Sequence, residues 1–233
     1  MLTSDQRERA DLKRICVFDV NETLLDMAAL DPLFERAFGD GSVRQLWFSQ
    51  MLQSAFVANI TDAYVTFGEV AGAALRMTEE RRGVEVSDGD RLEILGGLRN
   101  LPPHPEVPES LDRLRDAGFR LATLTNSTQE VAEAQMESSG LADRFEQVLS
   151  ADTAKRLKPA PAPYRMAART LGVPEREVRL VAAHAWDVAG ALRAGCAAAF
   201  VARQPFDPLV EEPDVVGADL SEVADGIISA ESD

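Results

Sequence analysis

Residues 15–26 read ICVFDVNETLLD, and the fold turns on this stretch. Four apolar residues, Ile15 to Phe18, are followed at once by a carboxylate, Asp19, with Asn21 and Thr23 close behind. A short apolar run bounded by turn residues suits a buried strand. At its end Asp19 either caps a turn or points into a cleft, and the rest of the chain has to decide between the two.

The chain has 233 residues, of which 45% are hydrophobic and 27% charged. That suffices for one sizeable domain, or a core domain with a smaller one attached. Acidic residues outnumber basic ones by 39 to 24, giving a formal net charge of −15. Such a surface repels phosphate backbones, so no nucleic-acid partner is expected. A small anionic substrate stays compatible, because a local pocket can differ in sign from the whole. Two cysteines, Cys16 and Cys196, lie in small or apolar runs and read as buried reduced thiols, with no zinc pattern. The charged start, MLTSDQRERADLKR, lacks the apolar stretch of a signal peptide, and no run reaches membrane-spanning length. A cytoplasmic protein without a membrane partner is the expectation.

Apolar runs at 121–124, 147–149, 178–182 and 198–201 read as further buried strands. Helical patterns separate them: VPESLDRLRDAG, STQEVAEAQMESSG, APYRMAARTLG and DVAGALRAG, each closing near a glycine. Strand alternating with helix predicts an α/β fold, a Rossmann-like parallel-sheet core with right-handed crossovers. Between Leu25 and Leu98 the alternation stops, and DPLFERAF, VRQLWFSQMLQSAFVANI, TFGEVAGAALRMTEERRG and DGDRLEILGGL all read as helices. The expected division is a core of residues 1–25 and 99–233 with an inserted all-helical cap domain over 26–98. LPPHPEVP, with four prolines, marks the return to the core, and the tail SAESD reads as frayed.

In open α/β sheets, ligands gather at the carboxyl ends of the strands. Those ends carry Asp19, Thr125 with Asn126, and His184 with Asp187, while Lys158 follows another strand. Each has a plain reading alone: a turn aspartate, a helix cap, a structural histidine, a surface lysine. Their convergence on one edge points to chemistry.

In this order the pieces resemble the haloacid dehalogenase superfamily. FDVNET (18–23) resembles its nucleophile motif, TLTN (123–126) the second motif, LKP (157–159) the lysine motif, and AAHAWDVAG (182–190) the fourth. Phosphatases of that superfamily carry a second aspartate two positions after the nucleophile and paired acidic residues that hold magnesium. Here those places hold Asn21, which cannot shuttle a proton at neutral pH, and Ala183, which offers no side-chain oxygen. HAWDVAGA resembles instead the metal-independent (S)-2-haloacid dehalogenases.

That resemblance implies a hydrolase of small 2-haloacids needing no cofactor and no metal. Asp19 would attack the halogen-bearing carbon, and water would hydrolyse the resulting aspartyl ester to a 2-hydroxy acid. Lys158 would hold Asp19 ionised, Asp187 would fix Lys158 and orient water, Thr23 would brace the nucleophile's loop, and His184 would position water or act as a base. Thr125 would bind the substrate carboxylate, Asn126 and Phe67 would contact halide, Tyr164 would sit near the lysine, and Trp186 would pack beside the site. A homodimer is carried over as well. The branch's cap arginine falls at Phe48, which with Phe56 and Phe67 predicts a drier pocket. Arg44, one turn earlier, reads as a solvated cap residue. The alternatives are a magnesium-dependent phosphatase of the same superfamily and a non-catalytic binding relative.

Overall fold

The computed structural model describes residues 13–231. The first twelve residues and the last two, including much of the charged start and the end of the SAESD tail, lie outside the described residues.

Six parallel strands form one sheet in the order β3-β2-β1-β4-β5-β6. They are β1 (Ile15–Phe18), β2 (Leu121–Thr125), β3 (Gln147–Ser150), β4 (Val178–Ala182), β5 (Ala197–Val201) and β6 (Val215–Gly217). β1 and β4 are buried along their whole length, as expected for central parallel strands covered on both faces. The order reverses between β1 and β4, which pair from Ile15↔Val178 to Phe18↔Val181. Such a reversal opens a crevice beyond the carboxyl ends of the two strands. Asp19 follows the first of them and His184 the second.

The inserted segment folds entirely as helices: α1 (Asp31–Phe38), α2 (Val43–Ile60), α3 (Phe67–Arg82) and α4 (Asp88–Gly97). Thr66 and Glu69 form a reciprocal capping box at the start of α3, and Gly83 ends it with φ +64°. Trp47 is fully buried between α2 and α3 and donates its indole N–H to Ala71 O at 3.0 Å. The entering and leaving chains are stitched side by side, Asp26 N to Pro102 O at 2.8 Å and His104 N to Leu24 O at 3.0 Å. The fold is therefore a Rossmann-like core with a helical cap.

The remaining core helices are α5 (Val107–Asp116), α6 (Gln129–Ser138), α7 (Pro161–Leu171), α8 (Ala185–Ala194) and α9 (Leu220–Ala230). Sequence reading misses β6 and α9. β6 has only three residues, and a Cβ at Gly217 would lie 2.7 Å from Val223 N, so α9 packs directly on its backbone. The tail is correspondingly not frayed through Glu231. Arg179, fully buried in β4, donates to Asp214 at 2.5 and 2.8 Å and to Glu231 at 2.9 Å. Arg14 holds the same Glu231 from the start of β1. Cys16 and Cys196 are free and buried, and burial pushes both thiols up to about 12. Among the described residues no helix is long and apolar enough to cross a membrane.

Candidate active site

Asp19 leaves β1 with its main-chain N–H donating to Val181 O of β4 at 3.0 Å, which aims its side chain into the crevice. Oδ1 accepts from Lys158 Nζ at 2.8 Å, and Oδ2 accepts from Thr23 Oγ1 at 2.8 Å and faces His184 Nδ1 at 3.3 Å. A carboxylate offers about four lone-pair positions, so the carboxylate is held on both oxygens without being saturated. Thr23 also accepts from Ala183 N at 2.9 Å and so ties the nucleophile's turn to β4.

Lys158 has no exposed side-chain surface and spends all three ammonium protons, on Asp19, on Leu124 O at 2.8 Å and on Asp187 Oδ2 at 2.6 Å. Burial opposes its charge, but the two carboxylates outweigh burial and keep its pKa raised. Burial would likewise raise Asp19, yet Lys158 and His184 hold its carboxyl well below the usual carboxylate range. Asp187 moves the other way, raised chiefly by burial against the pull of Lys158. Its second oxygen accepts from Tyr164 at 2.5 Å. Asp187 and Tyr164 therefore stand behind the lysine and do not line the cavity over Asp19.

Asn126 lines that cavity, but its amide is committed to the backbone of Lys158: Oδ1 accepts from the N–H at 2.7 Å and Nδ2 faces the carbonyl at 3.3 Å. Thr125, at the end of β2, keeps its hydroxyl in the same cavity and accepts from Ser127 N at 3.2 Å. From the cap come Phe48, Leu52 and Phe67, and from α8 comes Trp186. Phe56 lies behind Trp186, edge to face at 5.6 Å between centroids. The cavity measures about 10 Å³, room for roughly one water. Its cap side is apolar and its core side carries Asp19, Asn21, Thr125, Asn126, Lys158 and His184.

His184 is wedged between two carboxylates, Asp19 at Nδ1 and Glu22 Oε2 at Nε2, 3.1 Å away. Burial opposes protonation, but the hydrogen bonds and charges of Asp19 and Glu22 outweigh it and push the imidazole up to about 9. At neutral pH the ring is an imidazolium and donates from both nitrogens. The Phe48 and Trp186 rings flank it at 5.8 and 5.2 Å.

Glu22, Gln135 and Leu52 escape sequence reading. Glu22 sits at φ +62°, a conformation costing about 1–2 kcal/mol for a residue with a Cβ, and nothing in FDVNET announces it. Gln135 is fully buried on α6 and donates to Asn21 Oδ1 at 2.9 Å and Leu98 O at 2.7 Å. Its signal was available, since it shares the apolar stripe of Ala132 and Met136. Arg44 is not solvated: it is 6% exposed, its Nε donates to Asp31 at 2.5 Å, and its Nη1 donates to Glu22 at 3.2 Å.

Carboxylate and ammonium buried together under an apolar lid make an enzyme site in which an aspartate is poised as a nucleophile. The chain belongs to the haloacid dehalogenase-like hydrolases, whose family profile matches residues 13–195. It is 30% identical over 203 residues to (S)-2-haloacid dehalogenase 4A of Burkholderia cepacia, covering 86% of this chain and 88% of that one. Haloacetate dehalogenase H-2 of Moraxella sp. (strain B) is 29% identical over 201 residues, 84% of this chain and 90% of its own. The structure of L-2-haloacid dehalogenase from Xanthobacter autotrophicus with chloropropionic acid covalently bound superposes with a TM-score of 0.86 at 26% identity, over 92% of this chain and 98% of that one.

Proposed function

We propose that the protein hydrolyses small 2-haloacids through an ester on Asp19, without a metal ion. One observation carries this: the carboxylate of Asp19 is held ionised by a buried ammonium beneath a cap that presents Phe48, Leu52 and Phe67. An in-line attack by Asp19 on the halogen-bearing carbon forms the C–O bond as the carbon–halogen bond breaks and halide departs. Water then adds to the Asp19 carboxyl carbon and the bond from that carbon to the ester oxygen breaks, so the ester oxygen leaves in the 2-hydroxy acid, the water oxygen stays on Asp19, and one water proton goes to the product hydroxyl and the other to solvent.

Within this reading Asp19 is the nucleophile, Lys158 the cation that holds it ionised, and Thr23 its brace. Asp187 and Tyr164 position Lys158. His184 serves the water step, because it lines the cavity 3.3 Å from Asp19 Oδ2, where Asp187 does not reach. Thr125 takes the substrate carboxylate. Phe48, Phe67 and Trp186 wall the halide side, where the Trp186 indole N–H has no acceptor among the described residues and is free to donate. Asn126 contributes there through the lysine backbone that it holds.

A magnesium-dependent phosphatase fits the residues poorly. Asn21 is bonded to Gln135, Ala183 has no donor oxygen, and the Lys158 ammonium already bridges Asp19 and Asp187. Among the described residues no three His, Cys, Asp or Glu side chains are grouped to hold a metal ion.

The division into a core of 1–25 and 99–233 and a cap of 26–98 belongs to the same proposal. It is supported by the stitching of residues 24–26 to 102–104 and by the packing of the 98–100 turn on α6. So do a homodimer, a cytoplasmic setting and a small anionic substrate rather than nucleic acid, the last supported by the acidic balance of the chain.

The test is halide release from chloro-, bromo- and fluoroacetate and (S)-2-chloropropionate, with and without chelator, beside p-nitrophenyl phosphate with magnesium. Chelator-resistant halide release is expected, and in ¹⁸O-water a single turnover should label Asp19 rather than product. Magnesium-dependent phosphate release with silence on every haloacid would overturn the reading.

A further inference from the structure

Most polar side chains of the cavity over Asp19 already have partners. Lys158 directs its three protons to Asp19, Leu124 and Asp187, Asn126 faces the Lys158 backbone, and His184 faces Asp19. Thr125 and Asn21 line the same cavity and each keeps a donor in hand. The Thr125 hydroxyl accepts from Ser127 N, and its proton has no acceptor among the described residues. Asn21 is only 6% exposed and accepts from Gln135 at Oδ1, yet its Nδ2 has no partner among the described residues.

A backbone carbonyl fixes which end of the Asn21 amide is left over. Leu98 O can only accept, so the Gln135 amide must turn Nε2 toward it, at 2.7 Å. The other proton of that nitrogen goes to Asn21 Oδ1 at 2.9 Å. Asn21 therefore presents its oxygen to Gln135 and keeps its NH2 for a ligand. Gln135 is fully buried with its own Oε1 unpaired, so this orientation serves only the donor side of its amide.

We infer that Asn21 is a substrate-binding residue whose Nδ2, with the Thr125 hydroxyl, donates to the carboxylate of the haloacid, and that Gln135 is the positioning residue that turns the amide. This rests on the dehalogenase reading. Gln135 belongs to α6, the helix that follows β2, so it holds the amide from the strand that Thr125 ends. Two donors suit the two oxygens of a carboxylate, which only accepts. The Trp186 indole N–H, the unpartnered donor that follows β4, is left for halide. An amide at position 21 also adds no negative charge beside the anion, as an aspartate there would.

The two ends of a haloacid separate kinetically. The carboxylate keeps its charge during displacement, so a donor to it serves substrate and transition state alike, and its loss raises KM. The departing halide gains charge, so loss of a donor to it lowers kcat.

The experiment compares wild type, Asn21→Ala, Asn21→Asp, Gln135→Met and the Asn21→Ala/Gln135→Met double variant in chloroacetate turnover and in NMR titrations with acetate and with bromide. Asn21→Ala should raise KM and weaken acetate about 10- to 100-fold, the size of one hydrogen bond to a charged group. Its kcat and its bromide affinity should change much less. Asn21→Asp keeps an oxygen for Gln135 and replaces only the donor, and it should lose acetate at least as far. Gln135→Met should weaken acetate in the same direction and add nothing in the Asn21→Ala background. Unchanged acetate affinity in both Asn21 variants, a fall in kcat with KM held, or weakened bromide with acetate intact would overturn the inference. Additive losses in the double variant would overturn the positioning role of Gln135. If wild type turns over no haloacid while Asn21→Ala still weakens acetate, the dehalogenase reading falls and the carboxylate site stands.

Discussion

Lys158 Nζ lies 2.8 Å from Asp19 Oδ1 with the whole lysine side chain buried, so one desolvated cation serves the nucleophile directly. The same ammonium reaches Asp187 at 2.6 Å, and among the described residues neither carboxylate has another ammonium or guanidinium within reach. Lys158→Met should therefore strand Asp187 without a cation and leave Asp19 with only the His184 imidazolium and the Thr23 hydroxyl. Urea unfolding should show a loss of about 3–5 kcal/mol, the size expected when one partner of a buried pair is removed. Halide release should fall roughly 10²–10³-fold, as for loss of one preorganised charge.

Replacing the nucleophile is the sharper test of mechanism. Asp19→Asn keeps the shape and removes the attacking charge, and turnover should drop roughly 10⁴-fold or more. Intact mass measured before and after the assay checks that the amide has not hydrolysed back to aspartate. Normal turnover by a verified amide would exclude an ester on Asp19.

Protonation of His184 links pH to stability. Its folded pKa, about 9, lies above the ordinary value of 6.5, so its contribution is full below about pH 6.5 and is lost as pH rises through 9. Wild type should lose stability on the order of 3 kcal/mol between pH 6.5 and 9.5, and His184→Asn should lack that slope. Asp19 has the opposite sign: its folded pKa is depressed, so its contribution is present above the ordinary aspartate value and lost only in strong acid. Denaturant midpoints across pH for both proteins provide the check.

The aromatic cap sets substrate size. Phe48 stands in the wall of the cavity over Asp19, so its bulk limits the acids that reach the nucleophile. Phe48→Ala should raise kcat/KM for (S)-2-chloropropionate relative to chloroacetate by about tenfold, within the 1–3 kcal/mol a methylene is worth in an apolar pocket. Both substrates assayed side by side would show it, and an unchanged ratio would mean that Phe48 does not bound the substrate.

Much of this was legible beforehand, for reasons that are local. β1 and β4 read off correctly because a central parallel strand is apolar on both faces. α2 reads off as a helix across its full observed length. Asp19, Thr125 and His184 stood out because strand ends in an open sheet are where ligands collect. β6 and α9 were not legible. Three residues carry too little pattern, and the chain on either side of that strand and helix is tied down by Arg179, a charged residue inside an apolar run that pairs with residues 35 and 52 positions away.

By itself the sequence determined the alternation of strands and helices, the helical insertion and the residues able to do chemistry, since periodicity and turn residues act over a few positions. Tertiary structure alone decided what those residues do to one another. Glu22 and His184 are 162 positions apart, and Lys158 and Asp19 are 139 apart. The order of strands in the sheet brings them within hydrogen-bonding distance, and burial there makes their charges interdependent. That is why Arg44, exposed by expectation, proves buried, and why Asn126 proves to hold the lysine backbone: both side chains satisfy partners that only the folded chain supplies.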